Sequence, residues 1–224
     1  DKQPPYLTMA LGAGSVTPMQ MVTAYSVFAN GGYRVNPYLI ARVTDHRGHV
    51  ISEVQPPSLA DAQRVIDARN AFLMDSLLQE VARSGTAARA QATLKRPDIY
   101  GKTGTTNDAF DAWFAGFQPT MAAITWIGYD TPRNLGSRET GGGLSLPIWI
   151  SFMERALKGV PVSEPSVPPG VVNVSGEWMY EEYARSGGVA NVGLDAPSSG
   201  GSGVAPTAPP ATEERNKILD LFRN

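Results

Sequence analysis

Residues 101–116 constrain this chain more than any other stretch. They read Gly101-Lys102-Thr103-Gly104-Thr105-Thr106-Asn107-Asp108, then Asp111-Ala112-Trp113-Phe114-Ala115-Gly116. Ile99-Tyr100 leads into the run and the turn-forming pair Asn107-Asp108 leaves it, so residues 99–105 are expected to form a short strand with a polar binding edge. Side chains alternate along a strand, which puts Thr103 and Thr105 on one side and Lys102 on the other. Gly104 is expected to leave the backbone bare, so that a ligand can lie along the strand and pair with its amides.

The segments around this strand alternate in type. Thr17-Pro18 supplies a capping hydroxyl and a proline at the first helical position, and Met19, Val22, Tyr25 and Phe28 recur at helical spacing until Gly31-Gly32. Residues 38–44 and 49–54 are β-type runs joined by Asp45-His46-Arg47-Gly48, a hairpin pattern. His46 and His49 flank that turn and read as solvated turn residues rather than metal ligands, because neither cysteine nor an acidic cluster accompanies them. A second helix starts near Asp67, carries Leu73, Met74, Leu77, Leu78 and Val81 as its apolar stripe, and ends at Gly85. Residues 86–97 form a partly helical connector in which Lys95-Arg96 is a solvated pair.

Three closely spaced strands follow at 99–105, 112–117 and 121–129, linked tightly enough to be antiparallel neighbours at the centre of a sheet. Residues 131–143 form a polar, glycine-rich loop. Ser145 then caps a third helix whose buried face is Ile148, Trp149, Phe152, Met153 and Leu157. From Val160 prolines mark an extended linker, with an edge strand expected at 171–174 and a cluster of Trp178, Met179, Tyr180 and Tyr183 able to dock on the domain. The organisation expected is therefore a main domain over 1–160, a Pro-rich linker with docking segment over 161–194, a low-complexity linker over 195–212, and a short amphipathic tail helix over 213–224.

Several function classes fall away. The formal net charge of -2 gives no reason to expect nucleic acid as a partner, and with no cysteine there is neither a disulfide nor a thiolate metal site. No apolar run reaches the roughly 20 residues that span a bilayer. A nucleotide phosphate loop requires glycine where Arg96 stands, and a helix after Lys102-Thr103 where a turn and strand follow. Gly141 to Gly143 lack a following lysine at phosphate-loop spacing and read as a flexible loop beside the site. A Ser-His-Asp hydrolase finds no Gly-x-Ser-x-Gly elbow here, and both histidines share one turn.

Lys102-Thr103-Gly104 matches the third signature of penicillin-binding proteins and class A β-lactamases. Together with Arg96-Pro97-Asp98, the run through Gly116, Leu11-Gly12, Val16-Thr17-Pro18, Phe28 to Gly32, Ser84-Gly85-Thr86-Ala87, Thr140-Gly141-Gly142 and Pro147-Ile148-Trp149, it closely resembles the class A, bifunctional penicillin-binding proteins over roughly residues 7–172. The flank from Asn107 to Gly116 points away from a β-lactamase. The resemblance implies an α+β fold, an antiparallel sheet flanked by helices, incomplete in this chain, which would be the C-terminal part of a transpeptidase domain.

The resemblance also implies a chemistry. A serine acyltransferase acting on D-Ala-D-Ala stem peptides would use the Thr105 amide as one oxyanion donor. Thr103, Gly104 and Thr105 would hold the terminal carboxylate of the peptidoglycan stem peptide or of a β-lactam. Lys102 would attract that carboxylate and assist proton movement. Asn107, Asp108 and Asp111 are assigned to turn formation, and Trp113 and Phe114 to packing. The family's Ser-x-x-Lys and Ser-x-Asn patterns occur nowhere in the 224 residues. The nucleophile is therefore expected in an upstream part of the same domain, and the fragment is expected to be inactive alone, or a non-catalytic structural module. No cofactor or metal is implied. The resemblance places the parent on the periplasmic face of a bacterial inner membrane, held only by an upstream anchor.

Overall fold

A computed structural model describes residues 6–58 and 62–185. The expected linker at 195–212 and tail helix at 213–224 lie outside the described residues. A 3-10 turn at Leu7–Leu11 precedes α1 (Pro18–Ala29), the strands β1 (Arg42–Thr44) and β2 (Val50–Glu53), then α2 (Ala68–Arg83) and α3 (Ala88–Leu94). The strands β3 (Tyr100–Thr105), β4 (Asp111–Gln118) and β5 (Met121–Gly128) come next, followed by α4 (Leu146–Ala156), β6 (Val171–Val174), β7 (Glu177–Tyr180) and α5 (Glu181–Arg185).

The central sheet has the order β3-β4-β5 and is antiparallel throughout, with Tyr100 opposite Phe117 and Thr105 opposite Ala112. β4 is its middle strand, so β3 forms one edge among the described residues. Phe114 and Phe117 stand on opposite faces because their separation is odd. Each anchors a separate core. Phe114 packs edge-on against Trp149, with Ile99, Leu146, Ile150, Met153 and the alanines of α2 and α3 around it. Phe117 stacks on Tyr100 with 4.9 Å between centroids and joins Leu78, Tyr25 and Phe28 from α2 and α1.

Local signals in the sequence explain the helix starts. The Thr17 hydroxyl accepts from Gln20 N–H while the Gln20 side chain accepts from Thr17 N–H, a reciprocal cap ahead of Pro18. The Asp67 carboxylate accepts from Arg69 N–H at the start of α2.

The buried faces differ from the expected stripes. On α2 the inward residues are Ala71, Asp75, Leu78 and Ala82, whereas Leu77 is 61% exposed and Met74 lies at the surface. Small residues let this helix lie close to β3, which bulky ones would prevent. On α4, Leu146, Trp149, Ile150, Met153 and Leu157 face inward at i, i+3, i+4, i+7 and i+11, while Ile148 and Phe152 are about half exposed. Ser145 does not cap this helix. It is itself helical in conformation, and its buried hydroxyl donates to Ala112 O at 2.6 Å, fixing the rotation of α4 on β4. The capping hydroxyl is that of Thr140, which accepts from Gly143 N–H.

Asp75 is 4% exposed, and its Oδ1 has no hydrogen-bond partner. Burial pushes its carboxyl up to about 8. Burial also raises the Tyr100 phenol, with the Asp75 charge adding to the effect.

Arg96 is not a solvated residue. Its guanidinium holds the fully buried Asp98 through Nε at 2.9 Å and Nη2 at 2.7 Å, and donates onward to Val160 O and Pro161 O. Lys95, its neighbour, stays exposed in a left-handed helix-ending conformation. Beyond α4 the expected edge strand is one half of the antiparallel β6–β7 pair. Trp178 of that pair meets Phe72 of α2 edge-on at 5.1 Å, and Arg69 ion-pairs with Glu182 while stacking over the Tyr180 ring. In the separate β1–β2 hairpin the turn is built by Asp45, which accepts from Arg47 and His49 N–H and pairs with the His49 ring.

Candidate functional site

Strand β3 displays its polar residues along the free edge of the sheet. Thr106 N–H donates inward to Asp111 O at 3.1 Å, so by antiparallel alternation the N–H of Thr105 points away from β4. No strand pairs that edge among the described residues.

The two hydroxyls are each held by a different neighbour. Thr103 Oγ1 lies 2.8 Å from Thr86 Oγ1, on the turn between α2 and α3. Thr105 Oγ1 accepts from Gly141 N–H at 3.1 Å, which leaves its own proton free to donate outward. Lys102 begins on the opposite face, as alternation requires, but its long stem returns the head group over the edge. Its Nζ donates to Thr103 O at 2.7 Å and stands 3.4 Å from Thr103 Oγ1. Lys102, Thr103 and Thr105 thus meet at one edge, combining a cation, two hydroxyls and an outward amide. That is the donor set an anionic group with a neighbouring carbonyl would need.

Gly104 is not bare, contrary to the expectation from its lack of a side chain. Residues 141–145 wind as a turn of π-helix rather than a flexible loop, and Gly141 packs directly on the backbone of Gly104 and Trp113. A Cβ at position 141 would fall 2.5 Å from Gly104 O and 3.0 Å from Gly104 N, against backbone that cannot turn aside. Gly141→Ala is therefore expected to push the turn off β3 and to cost about 1–3 kcal/mol of stability. Thermal melting would measure the loss, and an unchanged midpoint would refute this account of the packing.

The acids near the strand are used structurally. Asp108 and Ala109 adopt positive φ in a 3-10 turn at Asn107–Ala109, braced when Leu135 N–H donates to Ala109 O and the Asn134 amide to Asp108 O. Asp111 Oδ1 accepts from Trp126 Nε1 at 2.7 Å, and Trp126 tilts against Trp113. Phe114 is core. Thr86 and Gly141 stand in runs that carry the resemblance, and residues 141–143 read as a loop beside the site, but nothing local to either residue gives its contact with β3. Their sequence distance from β3 is bridged only by the fold.

The chain matches the family described as penicillin binding protein transpeptidase domain over residues 4–154. It is 46% identical over 181 residues to penicillin-binding protein 1A of Neisseria lactamica, covering 80% of this chain and 23% of that relative. Among solved structures it resembles penicillin-binding protein 1A from Haemophilus influenzae, with TM-score 0.71 and 31% identity over 80% of this chain and 33% of the other. It also resembles penicillin-binding protein PonA1 from Mycobacterium tuberculosis, with TM-score 0.62 and 25% identity over 77% of this chain and 49% of the other. The chain spans about a quarter of the length of the curated relatives it matches. With two thirds of its residues inside the family match and the fold shared with solved members, the chain belongs to the penicillin-binding protein transpeptidase domain family.

Proposed function

We propose that this chain supplies the substrate-binding strand of a penicillin-sensitive serine D,D-transpeptidase that cross-links peptidoglycan stem peptides at the periplasmic face of a bacterial inner membrane. The observation that carries this reading is the convergence of Lys102 Nζ, both threonine hydroxyls and the outward Thr105 amide on one unpaired strand edge. In this reading the threonines, with Gly104 between them, hold the terminal carboxylate of the donor peptide or of a β-lactam. Lys102 draws the anion in and assists proton movement.

The nucleophile belongs to the upstream part of the domain, since no Ser-x-x-Lys occurs in the chain. A serine hydroxyl there attacks the carbonyl beside the terminal residue, and the oxyanion forms against the Thr105 amide and a second N–H. The peptide C–N bond then breaks, terminal D-alanine leaves with the proton, and an acceptor amine displaces the serine from the ester. A penicillin follows the same first step, but its ring nitrogen stays attached, so the adduct keeps the whole mass of the drug. The parent also carries a glycosyltransferase in this reading.

Intact-protein mass spectrometry after exposure to a penicillin tests the proposal. The chain alone is expected to stay unmodified, while the chain joined to its upstream segment gains one adduct that maps outside residues 1–224. Stoichiometric acylation of the isolated chain would overturn the assignment of the nucleophile.

A further inference from the structure

We propose that Thr86 is a positioning residue for anion binding, setting the direction of the Thr103 hydroxyl proton. The inference rests on the reading of Thr103 as a carboxylate-binding hydroxyl. Thr86 lies on an exposed turn, yet that turn is firmly held. Ala87 is fully buried, Ala87 N–H donates to Val81 O and Ala88 N–H to Gly85 O. A Cβ at Gly85 would fall 2.9 Å from Val81 Cα, so the chain passes too close to α2 for another residue there. On the far side, Gly142 borders both Thr86 O and the Thr103 methyl.

A hydroxyl has one proton and two lone pairs, and an ammonium only donates. Thr103 Oγ1 has the Thr86 hydroxyl at 2.8 Å and the Lys102 ammonium at 3.4 Å. If Thr103 spent its proton on Thr86, its oxygen would turn a lone pair toward an incoming anion. If Thr86 donates instead, the lone pairs of Thr103 face Thr86 and Lys102, and its proton is left to point outward. An anion at the edge selects this second arrangement, forming a chain from Thr86 through Thr103 to the carboxylate in which each bond polarises the next. Thr86 therefore acts through Thr103 rather than on the reacting carbonyl.

The test compares acylation rates of the chain joined to its upstream segment by a penicillin and by the methyl ester of the same penicillin. Thr86→Val keeps the shape and removes the hydroxyl, Thr86→Ala removes it independently, and Thr86→Ser retains it. Both hydroxyl-free variants are expected to lower the preference for the free acid roughly tenfold, with the ester rate unchanged and Thr86→Ser near the parent value. Equal loss with acid and ester would show a merely structural role and overturn the inference. A lowered preference in Thr103→Val but not in the Thr86 variants would overturn it while sparing the carboxylate reading. No preference for the acid in the unmutated protein would remove that reading itself and the inference with it.

Discussion

Replacing Asp75 with asparagine is expected to stabilise the chain at pH 8 and to flatten its stability between pH 5 and pH 8. The carboxyl is buried within reach of Tyr100 with one oxygen unpartnered, and burial pushes it up to about 8, against about 3.9 for an unfolded aspartate. The folded state thus holds a proton that the unfolded state releases. Stability is fully present below the unfolded value and is lost as pH rises through the folded one. At about 1.36 kcal/mol per pH unit, roughly 4 kcal/mol goes between pH 5 and 8. Asparagine avoids that loss but leaves a polar group buried, so the net gain at pH 8 is expected to be about 2–4 kcal/mol. For a chain of this size the melting midpoint would rise by roughly 5–15 °C. Melting curves across that range, run on both proteins, decide the matter. Parallel profiles would mean that Asp75 is ionised in the folded chain or has found a donor.

Asp75 also shows where the sequence was legible and where it was not. The cap at Thr17-Pro18 and the three-strand meander are local codes, readable because a capping box and alternation with tight turns act within a few residues. The rotation of a helix about its axis is not local. Counting apolar residues on α2 selects Leu73, Met74, Leu77, Leu78 and Val81, of which Leu78 is buried and Val81 packs on the core, but close approach to the sheet turns Ala71, Asp75 and Ala82 inward and leaves Met74 and Leu77 outside. On α4 the rotation is set by the bond from Ser145 to Ala112, which no periodicity reveals. The candidate site divides in the same way. Lys102, Thr103 and Thr105 lie within four residues, where alternation alone gives a polar strand edge and the resemblance gives their roles, whereas Thr86 and Gly141 reach them only through the turn after α2 and the π-helical turn before α4.

Arg96 is the other position where a surface reading fails, and it leads to the second large effect. Asp98 is fully buried and accepts from Arg96 Nε and Nη2, from Gln118 Nε2 at 3.1 Å and from Ser163 N–H at 3.0 Å. The remaining Arg96 donors hold Val160 and Pro161, so the pair joins the start of β3 to the segment leaving α4. Burial alone would raise the Asp98 carboxyl, but the guanidinium, the Ser163 amide and the Gln118 amide outweigh it and hold the group below the usual carboxylate range. Its contribution is therefore present at neutral pH and is lost as pH falls below about 4, opposite in sign to that of Asp75.

Asp98→Ala leaves a largely buried guanidinium without its counter-ion, which is expected to cost about 3–5 kcal/mol and to lower the melting midpoint by roughly 10 °C at pH 7. Arg96→Ala strands the carboxylate instead and is expected to cost a similar amount. The double replacement should cost clearly less than the sum, because either change alone abolishes the same interaction. Asp98 lies four residues before Lys102, so the strand entry loosens with it. In the chain joined to its upstream segment, penicillin acylation is expected to fall in step with stability. Strictly additive losses, or an Asp98→Ala protein as sensitive to acid as the parent, would show that the pair does not hold this part of the fold together.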